Sequence, residues 1–120
     1  MVDTTVHAQG GCHLLVTISQ IHNHDLLCYV GSLRETMMAF IRAMDLHVMA
    51  ECHHQFQPWG ATLLYLLSES HFSAHTFVET GKIILDLFCC SPDLDLSKAR
   101  HLFETLFAGN ITQFDVMYRQ

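Results

Sequence analysis

From residue 61 to residue 90 the chain sets three short apolar runs, 61–67, 73–77 and 82–90, among turn-forming residues. None is long enough for an ordinary helix of ten or more residues, so each reads as a strand. Pro58-Trp59-Gly60 turns the chain into the first run, and Thr80-Gly81 precedes the third. The gaps constrain the fold most. A parallel crossover needs about a dozen residues, so strands joined this tightly return antiparallel. No apolar run approaches the roughly 20 residues that span a bilayer, which leaves out a membrane helix.

The remaining segments extend this sheet and cover it. Residues 13–19, partly β-branched, read as a first strand, and 47–56 and 111–118 as two more. The His, Asn and Asp content of 21–29 favours a loop, although Leu26-Leu27-Cys28-Tyr29-Val30 is apolar enough to be ordered. Ser32-x-x-Glu35 is a capping-box pattern, and Leu33, Met37, Phe40, Ile41 and Met44 follow at helical spacing, which predicts a helix over 32–45. Ser91-Pro92-Asp93 breaks the third run. Asp95 or Ser97 then caps a second helix carrying Leu96, Ala99, Leu102, Phe103, Leu106 and Phe107 on one face, ended by Gly109-Asn110. The predicted order is β-α-β-β-β-β-α-β: one α+β domain over 1–120, a two-layer sandwich with a largely antiparallel sheet and two helices on one face. Two helices leave apolar sheet uncovered, which favours dimerisation. Residues 1–7 lack the basic start and apolar core of a secretion signal and read as a short, mobile arm.

Charge and cysteine usage narrow the function. The net charge is −6 with no Lys/Arg cluster, so the chain has no basic face for a nucleic-acid backbone. Five cysteines are odd in number and contain no C-x-x-C pair, which points to reduced thiols and a cytoplasmic chain. Among the histidines, His22-x-His24, His53-His54 and His71-x-x-x-His75 are the candidate metal pairs. They do not build a four-ligand zinc pattern, so no metal is expected.

The residues with chemistry cluster late in the chain. Ser70 follows the first apolar run, His71 and His75 come after it, and Cys90 lies on the strand that returns beside it. An isolated Glu-Ser pair is ordinary surface. This company allows two uses: a Cys90–His75 nucleophile pair, or attack by the Ser70 hydroxyl on the carbonyl before it.

Leu67-Ser-Glu-Ser-His-Phe-Ser-Ala-His-Thr-Phe77 resembles the I-S-E-S-H-L-S/T-I-H-T-W segment of the prokaryotic S-adenosylmethionine decarboxylase proenzymes. Asp86-Leu-Phe-Cys-Cys90 resembles their D-x-F-x-C, Phe56-Gln-Pro-Trp-Gly60 their F-x-P-Y/H-G, and Gly11-Cys-His-Leu-Leu15 their opening G-K/R-H-L. The resemblance runs from about residue 11 to 119. It implies a proenzyme cut between Glu69 and Ser70 into a β chain, 1–69, and an α chain, 70–120, with Ser70 becoming a pyruvoyl cofactor that binds the substrate amine as a Schiff base. By position, His75 removes the α-proton during processing and Thr62 is the processing hydroxyl. Cys90 is the proton donor in turnover. Glu79 holds ribose hydroxyls, and Phe56 and Phe77 lie near adenine. The implied product feeds spermidine synthesis, and the implied assembly is a homodimer with residues from both copies at each site. Cys89, one position from Cys90, points to the other face and reads as core, and His71 as structural.

Several positions depart from the family pattern. Phe77-Val78-Glu79 stands where Trp-Pro-Glu is usual, Thr62 where serine is, and Cys12 where a basic residue is; an acidic residue is missing around Thr17. A lost carboxylate near a cationic substrate opens the alternative of a pyruvoyl-dependent arginine or ornithine decarboxylase. A further alternative is a non-catalytic homologue that binds a partner subunit, which the retention of Ser70, His75 and Cys90 argues against.

Overall fold

The computed structural model describes residues 10–91 and 93–119, and the arm expected over 1–7 lies outside them. Six strands form one sheet: β1 (Gly11–Ser19), β2 (Val48–Gln55), β3 (Ala61–Leu67), β4 (Ser70–Phe77), β5 (Lys82–Cys89) and β6 (Asn110–Arg119). Their spatial order is β2-β3-β4-β5-β1-β6, and every neighbouring pair is antiparallel. The tight connections therefore do what their length demands. Three helices pack on the sheet: α1 (His24–Cys28), α2 (Val30–Ala43) and α3 (Leu96–Phe107). The fold class is as expected from the sequence, with one helix more.

That extra helix and the start of α2 are the corrections. In α1, Asn23 is the cap, its side chain accepting from the Leu26 N–H at 3.2 Å, and Leu26, Leu27 and Cys28 go into the core. The Ser32-x-x-Glu35 box does not form, because α2 begins two residues earlier. Its first orphan donor, the Val30 N–H, is met at 2.7 Å by the Gln55 side chain from the end of β2. Gln55 also donates to the Cys28 and Gly60 carbonyls, so one amide ties α1, α2 and the β2–β3 turn together. For α3 the expectation holds: Asp95 accepts from the Lys98 N–H at 3.0 Å.

Strand alternation gives the sheet two unlike faces. Leu14, Val16, Ile18, Leu63, Tyr65, Phe72, Leu85 and Leu87 point to the helices and are buried with Leu33, Met37, Phe40 and Ile41 of α2 and Phe103 and Phe107 of α3. Phe40 stacks on Phe103 at 4.3 Å and meets Phe72 at 5.1 Å, joining both long helices to the middle of the sheet. The other face carries no helix among the described residues. Leu64, Leu66, Ile84 and Met117 stand on it, Leu66 at 56% exposure. This is the uncovered face that two helices were expected to leave.

Candidate active site

Ser70 sits at one end of the sheet, in a hairpin under tension. Leu67 of β3 pairs with Ser70 of β4, so the loop between them is only Ser68 and Glu69. Two-residue hairpin loops favour positive φ at the loop residues, usually supplied by Gly or Asn. Neither loop residue here has it; the deviation falls on Ser70, whose φ is 152°. Such a conformation is nearly reserved for glycine and costs a serine roughly 1–3 kcal/mol. The peptide before it is gripped. The Cys90 N–H donates to the Glu69 carbonyl at 2.9 Å, and the Ser68 N–H to the His47 carbonyl at 2.9 Å. Glu69's carboxylate takes the His47 N–H at 3.0 Å and the His47 Nδ1 at 2.7 Å.

The cysteines at this end divide as expected. Cys89 is buried opposite Ser70 in register, and burial raises its thiol pKa. Cys90 is half-buried and lines a cavity of about 210 Å³ with Ser70, Glu69 and Phe88. Gly11 matters here through its missing side chain: a Cβ would lie 2.4 Å from the Cys89 carbonyl oxygen and 2.8 Å from the Cys90 Cα. Only glycine lets β1 run this close under the Cys89–Cys90 backbone.

The other expected site residues lie elsewhere. Thr62 and His75 face each other across β3 and β4, Thr62 Oγ1 3.0 Å from His75 Nδ1. Beyond them, exposed Phe77 lies under the Lys82 ammonium, 5.4 Å from its ring centre, and Glu79 is exposed in the 3-10 turn 78–80 that follows β4. Phe56, 47% exposed, meets the His54 ring edge-on at 4.6 Å. The aromatic residues thus stand at the His75 end. Ser70 and His75 are five residues apart on one strand, about 16 Å at the usual rise. The structure brings Ser70 to Cys90 and Thr62 to His75, but does not bring the two pairs together within one chain.

A cavity of about 430 Å³ opens between them on the uncovered face, lined by Ala50, Cys52, Leu64, Leu66, His71 and Ser73. It contains neither Ser70 nor His75, so its size reflects the bare sheet rather than the chemistry. One cluster escaped sequence reasoning. His13 of β1, Asp86 of β5 and His71 of β4 meet on this face, with His13 Nε2 2.6 Å and His71 Nε2 3.6 Å from the same Asp86 oxygen. Their donor atoms all lie within 4.8 Å of one another. The sequence offered His71-x-x-x-His75 as a pair, which strand geometry pulls apart; the actual partners come from three strands, and only the register reveals them. His13 is within hydrogen-bond distance of the carboxylate, and His71 stands just beyond it. His47, the other residue missed, lies 22 positions before the carboxylate it holds.

Comparison with known proteins follows the same lines. Residues 12–120 match the family described as S-adenosylmethionine decarboxylase. A protein of Clostridium botulinum (strain Langeland) named S-adenosylmethionine decarboxylase proenzyme is 33% identical over 89 residues, covering 74% of this chain and 76% of that one. The proenzyme of the same name from Aquifex aeolicus is 35% identical over 89 residues, 74% of this chain and 63% of its own. The crystal structure of the adenosylmethionine decarboxylase from Aquifex aeolicus VF5 superposes with a TM-score of 0.81 at 28% identity, over 92% of this chain and 91% of that one.

Proposed function

The chain belongs to the S-adenosylmethionine decarboxylase family and is a carboxy-lyase; from that premise we propose that it decarboxylates S-adenosylmethionine with a pyruvoyl group made from its own Ser70, in a site shared between two copies of the chain. One observation carries the reading. Ser70 and Cys90 stand at one end of β4, Thr62 and His75 at the other, and the uncovered face lies between. The Ser70 cavity of about 210 Å³ is smaller than the roughly 300–1,000 Å³ of ordinary ligand pockets. Two open faces packed about a two-fold axis running across the strands would set the Ser70 end of each copy against the His75 end of the other. That arrangement also covers Leu64, Leu66 and Met117.

The residues at Ser70 fit self-processing. Attack of Ser70 Oγ on the Glu69 carbonyl carbon breaks the C–N bond, frees the Ser70 amine and leaves an ester. Strain at Ser70 favours leaving the starting geometry, and the Cys90 N–H donates to the oxygen that gains charge. His75 from the partner copy then takes the Ser70 α-proton; the ester C–O bond breaks, releasing the Glu69 carboxylate and dehydroalanine. Water replaces the nitrogen, which leaves as ammonia. Thr62, bonded to His75 Nδ1, leaves Nε2 open for the proton. The products are chains 1–69 and 70–120.

In turnover the pyruvoyl carbonyl supplies the electron sink for loss of CO₂. Cys90 returns the proton to the substrate carbon, the exposed Phe56 and Phe77 rings flank adenine, and Glu79 takes the ribose hydroxyls. Family membership and the reduced thiols support a cytoplasmic role supplying the aminopropyl donor for spermidine.

Co-expression of Ser70→Ala with His75→Ala tests this reading, with intact mass as the readout. Each variant alone is expected to stay whole. Together, the His75→Ala chains are expected to be cut, because their Ser70 meets the intact His75 of the other chain. His75→Ala chains that stay whole on co-expression would overturn the shared site. Cutting of the His75→Ala homodimer at the wild-type rate would overturn the role of His75, and a wild-type chain that never divides would overturn self-processing.

A further inference from the structure

His47 has no part in the chemistry above, yet its backbone and side chain both hold the scissile hairpin. It lies just before β2, and three of its groups converge on residues 68 and 69. Its carbonyl accepts from the Ser68 N–H at 2.9 Å, its own N–H donates to Glu69 Oε1 at 3.0 Å, and its Nδ1 lies 2.7 Å from Glu69 Oε2. An ionised carboxylate only accepts, so Nδ1 carries the proton. On the other side, the Glu69 carbonyl is held by the Cys90 N–H from the end of β5. The residue before the cut is thus pinned by side chain and backbone, to opposite edges of β4, while the residue after it carries the strained φ of 152°.

We propose that His47 is a positioning residue for self-cleavage: by clamping the Glu69 carboxylate it fixes the carbonyl that Ser70 attacks, so that release of strain moves the serine and not the whole loop. The proposal rests on the self-processing reading. Attack needs the hydroxyl and the carbonyl carbon within near-contact distance and in line, and small displacements cost rate steeply. A two-residue loop free to swing would relieve the Ser70 strain by moving Glu69. The clamp closes that route.

The electrostatics agree. The hydrogen bond and charge of Glu69 raise the His47 pKa. Burial works to raise the Glu69 carboxyl, but the hydrogen bonds from His47, joined by those from the Glu69 backbone and the Ser68 side chain, outweigh it and the net shift is downward. The ion pair is therefore complete between the lowered Glu69 value and the raised His47 value. It weakens as pH rises through the latter, when the imidazole loses its charge. Asp45 also faces His47, 3.9 Å from Nε2, and Cys89, Asp93, Asp95 and Lys98 line a cavity of about 280 Å³ with Glu69. All of these remain in a His47 variant, so a difference between variant and wild type isolates the clamp.

The test is a time course of chain division for the full-length protein made in a cell-free system, followed by intact mass from pH 5 to pH 9. Wild type, His47→Ala, His47→Gln and Ser70→Ala are compared. His47→Ala is expected to divide at least ~10-fold more slowly than wild type. His47→Gln keeps the backbone N–H and an uncharged side-chain donor, so it should recover much of the rate while losing the decline at high pH. Division of both His47 variants at the wild-type rate, with an unchanged pH profile, would remove His47 from the process. Failure of the wild type itself to divide would instead remove the self-processing reading, which separates the two claims. Should His47→Ala not fold, the pH profile of His47→Gln decides alone.

Discussion

The two ends of β4 are built on opposite principles. At the Ser70 end the backbone is strained and gripped on both sides, glycine is demanded at residue 11, and the functional groups are a serine and a thiol. At the His75 end the backbone is ordinary and the functional groups, an imidazole with a hydroxyl bonded to it, stand near exposed aromatic rings. On the proposed reading, one end breaks a bond and the other receives a proton and a flat ring. Neither holds a full set, so the division of labour itself points to a second copy.

The hardest test of this contrast is to keep two ends of the same protomer but prevent two protomers from meeting. Leu66 points away from the helices at 56% exposure, so Leu66→Arg leaves the core of the protomer intact. It is expected to give a monomer by sedimentation that neither divides nor releases CO₂ from S-adenosylmethionine. A dividing, active monomer would show that the ends need no partner.

A smaller effect separates the two duties of the Ser70 end. Cys90 holds the Glu69 carbonyl through its backbone N–H, which alanine retains. Cys90→Ala should therefore divide near the wild-type rate but lose roughly 10²–10⁴-fold in turnover, the usual worth of a placed acid. Equal loss in both would mean that the thiol also serves cutting.

The smallest effect belongs to the covered face, remote from either duty. Tyr65 is buried, and its hydroxyl finds no hydrogen-bond partner among the described residues. Burial, ahead of the nearby Glu51 charge, pushes its pKa up to about 12. A raised value means that the neutral form stabilises the fold below the unfolded value of 10.0, with that contribution lost as pH climbs through about 12. Tyr65→Phe should be neutral or more stable by up to about 1 kcal/mol in urea titration, and should lack this alkaline loss. A clear destabilisation would reveal a partner for the hydroxyl.

Much of the sheet was legible because its signals are local. Short apolar runs and short gaps demand antiparallel return wherever they occur, and Asp95 caps α3 from its own sequence neighbourhood. Local signals also misled. His22-Asn23-His24-Asp25 reads as loop, but Asn23 followed by two leucines caps and buries a five-residue helix. The start of α2 was illegible for another reason: its cap is Gln55, 25 positions away in sequence, and no window around Ser32 contains it. The same limit governs the site. Spacing and family resemblance named Ser70, Thr62, His75 and Cys90. The period of an extended strand shows that Ser70 and His75 are far apart, but strand pairing was needed to show which neighbours each would keep. His47 and the His13–Asp86–His71 cluster depend wholly on register.

The β3–β4 ladder pairs six residues of each strand, from Thr62 with His75 to Leu67 with Ser70. The proposed break after Glu69 falls just outside that ladder, so it would leave the fold as two pieces held without a covalent link. From then on its assembly would no longer be a single-chain reaction. Unfolded fragments must find each other by diffusion, and recovery after heat or denaturant becomes dependent on concentration. Maturation would thereby act as a ratchet: the uncut chain can refold repeatedly, whereas the mature enzyme, once lost at low abundance, is not regained.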